Sequence, residues 1–158
     1  MKGFVVAQQG HVVNALPPVS ASGGKTAQAF SMADYQHATI IISLGAQAAQ
    51  MTSIVVNECT SAAGAGATAI PFNVFKQEVS GASDDVLGAL TAETSAGFQP
   101  SANANIFYVI ELDAQALDAG YDYVQVVLAN GANVDLAAVI VVLSGARFAE
   151  DQSPTVCV

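Results

Sequence analysis

The alternation of apolar and polar side chains in short β-branched runs constrains this chain more than any other feature. The chain is organised around residues 121–148, where residues 123–128 (YVQVVL) and 137–143 (AAVIVVL) are strand-forming runs separated by a turn-rich stretch, residues 129–135 (ANGANVD). In the first run Val124, Val126 and Leu128 share one face, while Tyr123, Gln125 and Val127 share the other. The second run is apolar on both faces, which predicts an interior strand. Together they are expected to form a hairpin-like unit.

The same period recurs upstream. Residues 39–44 place Ile40, Ile42 and Leu44 opposite Thr39, Ile41 and Ser43, and residues 106–112 place Ile106, Tyr108, Ile110 and Leu112 opposite Glu111. Residues 51–59 give a further strand in which Glu58 shares the face of Ile54 and Val56. Residues 27–32 predict another, followed by a turn at residues 33–36. Residues 70–79 alternate as well, but Pro71 cannot donate to a ladder and predicts an edge or a strand start. Residues 61–68 (SAAGAGAT) have loop composition, and residues 80–105 predict a long polar loop with one short helical turn capped by Ser83, Asp84 or Asp85. Residues 113–120 (DAQALDAG) predict a capped helical turn ending in glycine. Residues 1–24 hold β-favouring pieces around Leu16-Pro17-Pro18, where the prolines force extended backbone. That segment fits an edge strand of its own domain or an arm reaching a neighbour.

Seven to nine short strands with almost no helix predict an all-β fold, an antiparallel β-sandwich or jelly-roll-like domain. The division expected is an extended N-terminal arm, residues 1–24, and a single β-sandwich domain, residues 25–158. Length agrees, since 158 residues make one domain.

Composition bears on partners. The hydrophobic fraction is 53%, but without its 30 alanines it falls to about a third of the chain, an ordinary core. Charged residues are only 11%, against roughly 25% in an average protein, so small polar side chains or neighbouring subunits must cover the exterior. A net charge of −9, from thirteen carboxylates against four basic residues, argues against a nucleic-acid partner. The apolar run after Lys2 is broken by Gln8, Gln9, Gly10 and His11 before a secretory segment forms, and no stretch approaches a membrane span. Synthesis in the cytosol without membrane association is expected. Cys59 and Cys157 are expected to be free thiols.

Candidate chemistry is sparse. Gly23-Gly24-Lys25-Thr26 resembles the end of a phosphate-binding loop, but Val19 stands where that motif needs glycine and no helix follows. Gly64-Ala65-Gly66-Ala67-Thr68-Ala69 fits a dinucleotide fingerprint, yet Ile70-Pro71-Phe72 occupies the place of its helix. His11 and His37 have no second ligand at metal spacing, and Asp113, Asp118 and Asp122 lack the order of a calcium loop. No nucleophile elbow occurs, so a hydrolase would need His11 or His37 beside an acid in a cleft. Arg147, the sole arginine, follows the most apolar run and fits a strand-end cation. The residues by themselves describe an all-β domain without an evident active site; no enzyme, metal or cofactor is expected.

Several stretches taken together resemble a known family. MKGFVVAQQGHVVNALPPV with Gly23-Gly24, then FSMADYQHATIIISLG, VVNECTSAAG, ATAIPFNVFK, FYVIELDAQALDAGYDYVQVVL and VIVVLSGARF are similar to small structural proteins of tailed bacteriophages, the capsid decoration or head cement proteins. The resemblance covers residues 1–148. It implies a β-sandwich, assembled as a homo-oligomer, a trimer, that clamps the major capsid protein at the outer surface of the virion. It carries no catalytic residues. Phe4, Val5, Val6, His11, Leu16, Pro17 and Pro18 are the residues expected in the capsid or intersubunit contact, by strand addition from the arm. The other virion role expected from the residues is a tail or fibre protein whose loop at residues 80–105 binds receptor or glycan.

Overall fold

The computed structural model describes residues 3, 5–78, 87–102 and 105–147. After one helical turn, α1 (Val6–Gln9), come β1 (Gly10–Ser20), β2 (Lys25–Thr26), β3 (Phe30–Ser31), β4 (Tyr35–Gln47), β5 (Ser53–Cys59) and β6 (Thr68–Ala69). β7 (Phe72–Glu78), β8 (Thr91–Glu93), β9 (Ile106–Asp113), a 3-10 turn (Ala114–Ala116), β10 (Tyr123–Ala129) and β11 (Asp135–Ala146) complete them. They form two antiparallel sheets, one in the order β1-β11-β4-β9-β7-β8 and one in the order β2-β10-β5-β6 with β3 also on β10. The fold is the expected all-β antiparallel sandwich.

The core lies between the sheets. Ala38, Ile40, Ile42 and Leu44 of β4, Val139, Val141 and Leu143 of β11 and Tyr108 and Ile110 of β9 face Val124, Val126 and Leu128 of β10 and Ile54 and Val56 of β5. Burying a Val, Leu or Ile side chain contributes about 1.5–3 kcal/mol, and period-two spacing is what lets each strand place such a row on one side. Phe30, Met32, Met51 and Phe98 fill the ends. Pro71 stands immediately before β7, where its missing N–H costs no ladder bond.

Four expectations change. The N-terminal segment is not an arm from Gly10 onward: β1 is the edge strand of the larger sheet, paired with β11 from Gly10 to Ser20, with Val13, Ala15 and Leu16 in the core. Its backbone adapts to Pro17 and Pro18 by register shifts between Asn14 and Leu16 and between Leu16 and Val19. β10 and β11 do not form a hairpin, because they lie in opposite sheets. Each has an apolar face that needs the core and needs partners on both edges, so the loop between them crosses the roughly 10 Å gap between sheets instead of folding back. The strand expected at residues 27–32 is interrupted: β2 and β3 pair with separate parts of β10, and between them Gln28 N–H turns away to donate to the Ala15 carbonyl of the other sheet. Asp113 does not cap the turn after it, its carboxylate being taken by His37.

Smaller differences follow the same logic. Tyr35 and Gln36 belong to β4, with the turn confined to Ala33 and Asp34, and β8 gives the long polar loop one edge strand. The capped turn expected at Ser83, Asp84 and Asp85 lies outside the described residues. Gly97 has φ 72 and packs so closely on β5 that a Cβ would overlap the Ile54 carbonyl oxygen; this contact seats Phe98 against Ile54.

Candidate interaction surfaces

The two outer faces of the sandwich differ. On the larger sheet the register places Asn14, Ile140, Ile41, Val109 and Phe75 side by side across β1, β11, β4, β9 and β7. The next row runs Val12, Val142, Thr39, Glu111 and Asn73, and the row on the other side holds Ala138, Ser43 and Phe107. Val12 is 51% exposed, Ile140 42% and Leu136 48%. On the smaller sheet the outer rows pair Gln125 with Asn57 and Thr26 with Val127, and Tyr123 and Ser53 also face outward. The larger sheet thus carries one apolar row beside a mixed one, and the smaller sheet mixes Gln125, Asn57 and Thr26 with the pair Val127 and Val55.

The apolar face ends in a polar cluster. His37 on β4 lies between two carboxylates of β9, with Nε2 at 2.6 Å from Glu111 Oε2 and Nδ1 at 2.7 Å from Asp113 Oδ1. Thr39 Oγ1 donates to the same Glu111 oxygen at 2.7 Å. Two carboxylates accept only if both ring nitrogens carry protons, so the geometry is that of an imidazolium. Partial burial pulls the His37 pKa down, but the hydrogen bonds and charges of Asp113 and Glu111 outweigh it and hold it above its ordinary value.

Beside this cluster is an open cleft of about 420 Å³ lined by Gln36, Asp113, Ala114, Gln115 and Arg147. Thus His37 sits beside two acids, one of which, Asp113, lines a cleft, close to the arrangement a hydrolase would require. Its chemistry is unsuited, because neither ring nitrogen has a lone pair directed at a nucleophile and the Thr39 hydroxyl is given to Glu111. His11 instead stacks on Tyr35, with centroids 5.9 Å apart.

The residues expected at a contact do not share one direction. Val5 and Val6 are exposed, as are Pro17 and Pro18, and His11 is half-buried. Leu16 points into the core at 8% exposure, and Phe4 lies outside the described residues. Val5, Val6 and the exposed Val12 border the apolar face, since Gly10, which joins α1 to β1, lies directly against Val142.

Other features have structural roles. Gly23 and Gly24 make a left-handed turn into β2, and Gly64 and Gly66 shape a loop before β6. Asp118 offers its backbone N–H to the buried Glu58 carboxylate at 2.8 Å. Among the described residues no group of three or more His, Cys, Asp or Glu converges as a metal site, and no helix is long and apolar enough to cross a membrane. Cys59 is a buried free thiol whose pKa is pushed up by burial and by the Glu58 charge, while Cys157 lies outside the described residues.

The apolar outer face escaped sequence reading because β11's two-sided apolarity is equally what an interior strand shows. The charge cluster escaped it because His37 is 74 and 76 residues from its two partners. Only the β4–β9 register joins them.

No protein-family model matches the chain, and no curated protein matches it. Among solved structures, the crystal structure of the SPBc2 prophage-derived protein YomS is similar at 16% identity and a TM-score of 0.44, covering 84% of this chain and 92% of that one. So faint a likeness assigns neither a family nor a partner.

Proposed function

We propose that this chain is a non-enzymatic virion structural protein that decorates a tailed-bacteriophage capsid, binding the major capsid protein as a trimer at the outer surface of the shell. The observation that carries the reading is the N-terminal edge. Residues 3–24 contain no charged side chain, and they present exposed Val5 and Val6 at the helical turn before β1 and exposed Val12, Pro17 and Pro18 on that edge strand. An uncharged edge with apolar side chains offers both main-chain groups and pockets' worth of contact to a partner. The resemblance of residues 1–148 to decoration proteins supports the choice of partner. Each such contact is modest, and repetition around a closed shell supplies the avidity.

The capsid test uses expanded, undecorated capsids pelleted with the protein. Full-length protein is expected in the pellet, and a chain lacking residues 1–8, which keeps all of β1, is expected to stay in the supernatant. Equal binding by the shortened chain would overturn the assignment of the contact. A second reading, a tail or fibre protein binding receptor or glycan, is favoured by a cleft of about 410 Å³ at the base of the long loop, lined by Gln50, Lys76, Gln99 and Ser101 among others. Copy number separates the two readings.

A further inference from the structure

The loop that crosses from β10 to β11 holds the chain's one Asn-Gly pair, Asn130-Gly131. We infer that this pair is a site of spontaneous self-modification, in which Asn130 loses its side-chain amide and the crossing between the two sheets is loosened. The inference goes beyond the proposed function and needs neither a capsid nor any other partner.

The chemistry needs the backbone nitrogen of the residue after an asparagine to reach the side-chain carbonyl carbon. A bond forms from Gly131 N to Asn130 Cγ, the Cγ–Nδ2 bond breaks, and the Gly131 amide proton passes through solvent to Nδ2, which leaves as ammonia. A neutral five-membered imide remains. Water adds to either of its carbonyls, giving aspartate or, where the main chain now runs through the former side chain, isoaspartate. Solvent water is the only co-reactant. A side chain on the attacking residue obstructs the approach, and glycine has none. The fold itself does not require glycine here, because the φ of Gly131 lies outside the left-handed region and a Cβ built on it meets only Asn133 Nδ2, at 3.8 Å. Gly131 is exposed, so water reaches the site, and Asn130 Oδ1 accepts no hydrogen bond among the described residues that ring closure would have to break.

The position of the pair decides the effect. Asn130 Nδ2 donates to Asp135 Oδ2 at 2.8 Å, to the Ala21 carbonyl at 3.2 Å and to the Asn133 carbonyl at 3.3 Å. These bonds join the residue after β1 and the first residue of β11 to the crossing loop, and they hold the intact amide while the loop is closed. Ring closure therefore proceeds from local openings of the loop, in which residues 131–134 are all exposed. Once oxygen replaces Nδ2, a donor becomes an acceptor, and all three of its partners are acceptors too. The new carboxylate also faces the wholly buried Asp135, and two carboxylates at that separation repel. Isoaspartate further lengthens the main chain in a loop whose Gly131 carbonyl accepts from Gly23 N–H. Conversion thus turns a fastening into a repulsive contact.

The test ages the folded full-length chain at physiological temperature and mildly alkaline pH in heavy-oxygen water, which labels each converted site, and maps its peptides by mass spectrometry. Asn130 is expected to convert ahead of every other asparagine, to both aspartate and isoaspartate. Gly131→Ala is expected to melt as wild type does and to keep Asn130 amidated over the same period. Asn130→Asp, made directly, is expected to lower the thermal midpoint by about 5 °C, while Asn133→Asp, an exposed neighbour, is expected to leave it in place. A folded chain whose Asn130 is still amidated when a urea-unfolded sample has converted would overturn the site. An Asn130→Asp chain that melts like wild type, or no lower than Asn133→Asp, would overturn its effect on the crossing. Capsid binding enters none of these outcomes, so the inference and the proposed function stand or fall separately.

Discussion

Asp135 is wholly buried, yet both of its carboxylate oxygens have donors: Ala48 N–H reaches Oδ1 and Asn130 Nδ2 reaches Oδ2, each at 2.8 Å. Its own carbonyl accepts from Ala21 N–H. One residue thereby fastens three loops where the chain passes between sheets. Asp135→Ala leaves two donors without their charged acceptor and is expected to cost about 3 kcal/mol in urea unfolding; a loss below about 1 kcal/mol would show that those loops hold without it. His37 gives a pH dependence of definite sign. Its folded pKa is raised, so the stability it contributes is complete below the ordinary value of about 6.5 and is lost as pH rises through the folded value. The stability gap between wild type and His37→Gln should therefore be widest in mild acid and close toward alkaline pH. A gap that widens with pH would mean that His37 is held neutral. Alternation did show that Glu58 shares a face with Ile54 and Val56; it could not show that the buried carboxylate exists to receive Asp118 N–H.

At the level of elements, β1 makes the larger sheet's edge rather than extending from it. A chain lacking residues 1–19 loses Val13 and Leu16 from the core and leaves β11 unpaired along one side, a loss on the order of 5 kcal/mol or more in a domain whose whole stability is about 5–15. It is expected to lose its cooperative thermal transition, while a chain lacking residues 1–8 keeps it. An unchanged melt after removal of residues 1–19 would contradict the pairing of β1 with β11. β4, β9 and β10 were legible with their inward faces because each has one apolar and one mixed side. The β10–β11 connection was not, since residues 129–135 carry the same turn chemistry whether a chain doubles back within a sheet or crosses to the other. β2, β3, β6 and β8 were hard to foresee for another reason: two or three residues are too short for a period to register.

Over the whole molecule, the exposed apolar side chains Val12, Leu136 and Ile140 and the charged cluster His37, Glu111 and Asp113 all belong to the larger sheet. In the proposed reading its N-terminal edge meets the capsid. Apolar contacts of this kind should weaken little as salt is raised, because only exposed charge pairs are screened over a Debye length of about 8 Å at physiological ionic strength. The fold class was open to sequence reading because period-two patterning is repeated in β4, β5, β9 and β10. The apolar row on the outer face of the larger sheet was not, because it is made by side chains from five strands brought into register. The most direct measurement titrates the purified full-length chain onto expanded, undecorated capsids and counts bound copies against the major capsid protein. Saturation at a fixed ratio, on the order of hundreds of copies per particle as shell symmetry dictates, is the predicted result. A handful of copies, or none, would contradict decoration and move the chain to the tail or outside the virion.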